Sequence, residues 1–393
     1  MLTINSLLVP EAPWRPCGAD RKKVLVTARS MSEVVAGFTH DVHAVRVVFA
    51  VDAHRTSVQP ELDRLGAKAV LVMASASQKA VAGALTAAMP GGRAQPLAFS
   101  RSRSVVGQIS RAYEVAAREE ADCMVAIGSG AVIHAARQAA LRAELPLIAL
   151  PTSYAGAEFV SPSGTPPLSP GRSEPAADMS PAASRVVIYD PALTVGLPDH
   201  VTARSAMRAL AYGVDVLCTP DASPVAAMMA EEGIRQIADG MPDAILHPHG
   251  LVGRSRTQYG GYLTASSLAV TPPGPHRALC EAVERVCGLR HADVRPVLLP
   301  HLLAATRVKR PLALARVAEA LGCNDAVQGI TELAHEVGAA RSLRELGMGL
   351  DGLDAALEAL RRDETAARDA ELEPEVLTLV VENAYHGRTP VGP

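Results

Sequence analysis

Aromatic residues are scarce in this 393-residue chain: Tyr, Phe and Trp together make up 3%. Nucleic-acid platforms that stack bases need several aromatic faces, so that class of function is not expected, and the core has to be built from Ala, Val and Leu. Charge of one sign is missing too. The formal net charge is −3, with no basic block to meet nucleic acid and no single-sign run to meet a membrane surface. No apolar run reaches the roughly 18 residues of a membrane-spanning helix. Cysteine is sparse and scattered at Cys17, Cys123, Cys218, Cys280, Cys287 and Cys323, without a CxxC pair or zinc-ribbon spacing. These read as reduced core thiols, Cys280 and Cys287 sharing a helix face two turns apart. The opening "MLTINSLLVPEAPW" lacks the basic region and long apolar run of a secretory signal. A reducing cytoplasm is the expected location.

What is present is a globular chain, 48% hydrophobic and long enough for two or three domains. From about residue 44 to 150, short apolar runs alternate with amphipathic ones. "VRVVFAV", "KAVLVMA", "AQPLAFS", "DCMVAIG" and "LPLIALPTS" read as strands, separated by helices such as "SVVGQISRAYEVAAREE". Strict alternation of this kind predicts a parallel sheet covered on both faces, with ligands at the carboxyl ends of its strands. Residues 161–183 are rich in Pro, Ser and Gly and read as a loop, and "RVVIYDP" follows as one more strand. After about residue 200 apolar positions recur every three or four residues, which predicts helices throughout. Asp221 and Asn324 are the expected caps of two of them. The expected organisation is an extension over 1–37, an α/β domain over 38–197 and an all-α domain over 198–393.

Two places look chemical. The turn Gly128–Ser129–Gly130 follows a buried strand and opens a helix, where backbone N–H groups can hold a phosphate. A tight turn needing glycine for positive φ is the competing explanation. Thr152 and Ser153 bring hydroxyls to the same sheet edge. The second place is "SAMRALAYGVD", which sets Arg208 and Tyr212 one turn apart on one helix face. That spacing suits two groups gripping one ligand. A metal would want Asp and His there instead. His247 and His249 in "LHPHG" read as a surface loop, His134 as packing or solvent-facing, and "RRDETAARDAELEPE" as a solvated stretch.

The segments "ADCMVAIGSG", "PLIALPTSYAGAE", "RVVIYDPALTVGLP", "SPVAAMMAEEGIR" and "VLLPH" closely resemble the maleylacetate reductase branch of the iron-containing alcohol dehydrogenases, from about residue 44 onward. The resemblance implies a dinucleotide-binding-type α/β domain, a helical domain, an active-site cleft between them, NAD(P)H as cofactor and a homodimer. It also implies departures. The glycine motif Gly-Gly-Gly-Ser of the superfamily appears as Gly128-Ser129-Gly130-Ala131, and the glycine-bearing turn after the first strand appears as "FAVDAH", where Asp52 is expected to repel a pyrophosphate. Gly128, Ser129, Gly130, Thr152 and Ser153 are the cofactor-binding remnant.

At the metal site Arg208 stands at the Asp/Asn position, Tyr212 at the first His and Arg277 at the second, while His291 keeps the last. Glu281 stands where the family has its proton-transferring His, and Arg295 where maleylacetate reductases have a further His. Arginine brings only donors and a divalent cation needs O or N lone pairs, so no metal is expected. His276, next to Arg277, cannot face the same way on a helix. Arg208, Arg277 and Arg295 are the expected clamp for a small anionic substrate, with Tyr212, Glu281 and His291 for acid–base work. Salt bridges filling a disused cleft are the plainer alternative, Arg277–Glu281 being an ordinary helix pair. Three activities fit: metal-free acid–base chemistry with hydride transfer lost, NAD(P)H-dependent reduction of an unsaturated keto acid, and a non-catalytic subunit paired with an active homologue.

Overall fold

Strand β1 (Arg46–Phe49) is followed by two short helices, α1 (Ala53–Thr56) and α2 (Val58–Leu65), and then by β2 (Val70–Ser75), α3 (Lys79–Ala88), β3 (Ala94–Phe99), α4 (Val105–Arg118), β4 (Cys123–Gly128), α5 (Gly130–Arg142), β5 (Leu147–Pro151) and β6 (Ser184–Tyr189). The computed structural model describes residues 38–40, 45–89, 94–100, 104–160, 184–272, 274–287, 289, 291–362, 367–368 and 371–392. Residues 1–37, the loop 161–183 and part of the acidic stretch after 361 lie outside these. All six strands are parallel, in the order β1-β6-β5-β4-β2-β3. Side chains alternate between two faces along each strand. Val70, Val72, Cys123, Val125 and Ile127 join the core on one face, and Leu71, Met73, Met124 and Ala126 the larger core on the other. Burial on both faces is why these strands read as unbroken apolar runs.

A turn of 3₁₀ helix (Pro191–Thr194) leads, among the described residues, into nine helices: α6 (Asp199–Cys218), α7 (Pro224–Leu246), α8 (Leu251–Ala269), α9 (Pro275–Cys287), α10 (His291–Thr306), α11 (Pro311–Leu321), α12 (Ala326–Glu336), α13 (Leu350–Arg362) and α14 (Pro374–His386). Residues 39–393 form one compact unit. The sheet's larger core runs on without a break into α6, α7 and α8, while α9, α10, α13 and α14 enclose a second cluster around Leu279, Val283, Leu298 and Leu360. No helix among the described residues is long and apolar enough to cross a membrane.

Two expected caps move by one or two residues. Ser223, not Asp221, accepts from the Ala226 amide at the start of α7, and Asp325, not Asn324, accepts from the Gln328 amide at the start of α12. The cap must stand immediately before the first helical residue for its oxygen to reach the third amide, and Pro224 at the first position of α7 fixes that place.

The turn after β1 is held by one buried carboxylate. Asp190, at the end of β6, accepts from the amides of Asp52, His54 and Ala192 and from the His54 ring. Asp52 sits in the left-handed region, with φ of 59°, a conformation Asp tolerates better than most residues.

The segment after β5, Pro151–Val160, is buried throughout. Gly156 in it has φ of 70°, and a Cβ there would lie 2.6 Å from the Ala265 methyl and 3.2 Å from the Tyr212 ring. Gly156→Ala combines left-handed strain with overpacking. It is expected to destabilise the fold by about 2–5 kcal/mol in a denaturant titration. An unchanged midpoint would mean that this loop does not seat on α6 and α8 as described.

Candidate active site

Helix α6 carries Arg208, Tyr212 and Asp215 at positions i, i+4 and i+7 of one face. All three are buried. The Arg208 Nε donates to the Tyr212 Oη at 2.5 Å, and its guanidinium carbon lies 5.4 Å from the centroid of the same ring. Helix α10 brings a second cation to that ring: the Arg295 guanidinium carbon stands 5.6 Å from the centroid. Two cations thus stand within cation–π range of one phenol, a contact its π face favours. Two of the three expected clamp arginines meet at the tyrosine, and they point inward.

The third does not join them. On α9 the Arg277 Nε donates to the Glu281 Oε1 at 2.7 Å, in a partly exposed helix pair. The Glu281 carboxylate is engaged there, so the expectation of an open third arginine beside a free base is replaced by a four-residue ion pair of the ordinary kind. Glu281 still acts electrostatically on Arg295, which keeps the pair at the edge of the cluster. His291 is the first residue of α10, one turn before Arg295; its side chain lies outside the described residues.

Three groups were missed in the sequence. Asp215 was in the quoted stretch, and its i+7 position was the available signal. Its Oδ1 accepts from the His276 amide at 3.1 Å, and the Arg277 amide also donates to this carboxylate, so it seats the N-terminus of α9, as an acidic cap does. Burial pushes its pKa up to about 6, against the pull of Arg295 and of these amides. His276, set aside because it turns from Arg277, has its Nε2 on the Arg295 carbonyl at 3.0 Å. Burial first, and the Arg295 charge second, bring its pKa down to about 3, so it is neutral and donates. Glu158, from the loop after β5, is fully buried and accepts from the Tyr189 phenol at 2.6 Å. Burial raises its pKa, opposed by that bond and by Arg137 and Arg208.

The cluster is nevertheless incompletely paired. Among the described residues, the Arg295 Nε and Nη1, the Arg208 Nη2 and the Asp215 Oδ2 are buried without a hydrogen-bond partner. Buried polar atoms are almost always satisfied, and an unpaired buried charge is strongly unfavourable.

At the other chemical place, Ser129 is the N-cap residue of α5 and makes no side-chain cap bond, which leaves the first amides of α5 without that partner. Positive φ is not the reason for the glycines, since neither Gly128 nor Gly130 adopts it. A Cβ on Gly128 would meet Val132 at 2.8 Å, and one on Gly130 would meet Ala155 at 3.2 Å; close packing is what demands them. Thr152 and Ser153 are buried, and the Thr152 amide donates to the Gly128 carbonyl at 3.0 Å. Asp52 follows β1, a strand three places from β4 in the sheet. The loop after β5 touches Gly130 through Ala155 and Tyr212 through Gly156, so one layer of chain separates the two places.

Among the described residues no three His, Cys, Asp or Glu side chains gather as metal ligands do. His247 pairs with Asp243 at 2.8 Å on the surface, and His134 is buried.

Two family models match: iron-containing alcohol dehydrogenase over residues 44–191, and the C-terminal part of the Fe-containing alcohol dehydrogenase family over 202–380. A maleylacetate reductase of Burkholderia cepacia is 34% identical over 355 residues, covering 90% of this chain and 99% of its own. A crystal structure of a maleylacetate reductase from Agrobacterium tumefaciens superposes with a TM-score of 0.78 at 29% identity, over 90% of this chain and 100% of the other. An iron-containing alcohol dehydrogenase from Corynebacterium glutamicum gives 0.80 at 28%, over 90% and 98%. The parallel-sheet domain and the helical half therefore have their counterparts in one group of enzymes, and the chain belongs to the iron-containing alcohol dehydrogenase family, in its maleylacetate reductase branch.

Proposed function

We propose that this chain is a metal-independent reductase of a small carboxylate-bearing carbonyl compound. Arg208 and Arg295 bind the carboxylate, and Tyr212 donates the proton. The observation that carries this reading is the set of buried guanidinium N–H groups with no acceptor among the described residues, facing one phenol. A planar fork of donors matches a carboxylate, and a low-dielectric setting strengthens the pairing.

The donor set does not fit a divalent cation. Arg208, Tyr212 and Arg277 occupy the positions at which relatives' ligands are expected, and guanidiniums offer no lone pair. Purified protein is expected to carry less than about one iron or zinc per ten chains by elemental analysis, with a melting temperature indifferent to chelator. Stoichiometric metal, or a chelator-induced fall, would overturn this part of the reading.

NAD(P)H fits better. The first amides of α5, with Gly128 and Gly130 allowing close packing behind them, suit a pyrophosphate, and the relatives that share the fold are maleylacetate reductases by name. When bound, NAD(P)H supplies a hydride; this chain's residues hold the carboxylate and place the phenol proton. Ala131 in place of the motif's Ser removes one hydroxyl from the turn, which favours as a second reading acid–base chemistry without a cofactor. A thermal-shift titration separates them: ligand binding to the native state raises stability by mass action. A rise with NADH or NADPH, followed by its oxidation in the presence of maleylacetate, supports the reductase. No rise at millimolar cofactor removes it and leaves the acid–base reading.

A further inference from the structure

We infer that Asp215 is a positioning residue whose charge opposes the incoming carboxylate, so that ligand binding at Arg295 is coupled to proton uptake by Asp215. This rests on the carboxylate-site reading above.

The geometry is specific. Asp215 is fully buried, and its two oxygens do different things. Oδ1 holds the His276 amide, and Gly274 passes so close that a Cβ there would lie 2.4 Å from this oxygen. The carboxylate is thereby fixed in place. Among the described residues Oδ2 has no partner, and neither do the Arg295 Nε and Nη1. Asp215 and Arg295 feel each other electrostatically, yet no ion pair joins them among those the described residues form. An anion that takes up the Arg295 donors comes to lie near Asp215. Two buried carboxylates that close do not both stay ionised.

The other groups around Asp215 are accounted for. From α10 comes Arg295, and from α9 come His276, Arg277 and Cys280, with Glu281 beyond, paired to Arg277. From α6 comes Cys218, whose carbonyl accepts from Arg310, while Tyr212 acts on Arg295. Burial holds both thiols up at about 12 and His276 down at about 3. The arginines stay protonated. The sign follows by linkage. Asp215 is mostly ionised above pH 6 in the free protein and is driven toward its protonated form by the ligand, so affinity rises as pH falls from 8 to 6 and levels off below.

The test uses the full-length protein and pyruvate, a 2-oxo carboxylate ionised throughout that range. Calorimetric titrations at neutral pH in imidazole and in Tris, two cationic buffers that do not compete for an anion site, read proton uptake from the difference in apparent enthalpy. The wild type is expected to take up a substantial fraction of a proton per pyruvate and to bind about tenfold or more tightly at pH 6 than at pH 8. Asp215→Asn keeps an oxygen for the two amides and is expected to bind without uptake and without pH dependence. Wild-type binding with no proton uptake would leave the carboxylate site standing and overturn this inference, as would uptake that persists in the variant. Failure of pyruvate to bind at any pH would overturn the site itself and the inference with it. If Asp215→Asn does not fold, the wild-type uptake alone decides.

Discussion

Arg295→Met is expected to weaken carboxylate binding by about 30-fold or more without lowering the melting temperature. The binding estimate follows from truncating a buried, hydrogen-bonded charge, which typically costs about 2–5 kcal/mol, at 1.4 kcal/mol per factor of ten. The stability estimate runs the other way. The Arg295 Nε and Nη1 give no hydrogen bond to the described residues, so little is lost with them, while keeping a charge out of water is unfavourable by several kcal/mol. Methionine fills much of the same volume with a flexible apolar chain. Asp215, deprived of its neighbouring cation, can take a proton. Pyruvate calorimetry and a thermal melt check both halves. A variant that binds as the wild type does would show that the anion sits elsewhere. A large fall in melting temperature would show that Arg295 is a structural tie.

Tyr212→Phe tests the chemistry rather than the grip. Removal of a positioned proton donor typically lowers turnover by about 10²–10⁴-fold, and that loss is expected in kcat with KM little changed. The ring itself should stay, since it packs beneath Gly156 and beside two guanidiniums. Arg208 Nε loses its acceptor, a penalty of about 1–3 kcal/mol for a buried donor, so some loss of stability accompanies the loss of rate. The opposite pattern, a raised KM with kcat intact, would make the phenol a substrate-binding group. Together the two variants separate holding from reacting.

The fold was largely legible because its signals are local. β4 is buried at all six positions from Cys123 to Gly128, which is the apolar run the sequence shows. Arg208 and Tyr212 were legible for the same reason, since a four-residue helical spacing needs no tertiary knowledge. Asp215 lay three residues further along the same face, but its partners are the amides of His276 and Arg277, sixty residues away, and no local pattern announces them. The neighbours of the turn that carries Asp52 were not legible, because strand order is a property of the whole sheet: its strand pairs with β6 at the edge. The caps slipped for a simpler reason: "DASP" and "CNDAV" each offer two residues with capping oxygens, and which one is used depends on where the first helical residue falls.

One carboxyl group, that of Asp190, staples the turn behind β1 to the end of β6 through three amides and an imidazole, whereas β1 itself contributes only four residues of ladder. Much of the anchorage of that margin thus lies with a single side chain. Severing it would let the outermost strand peel away while the interior of the sheet holds, a local opening that amide exchange would register in Arg46–Phe49 well before the rest of the domain.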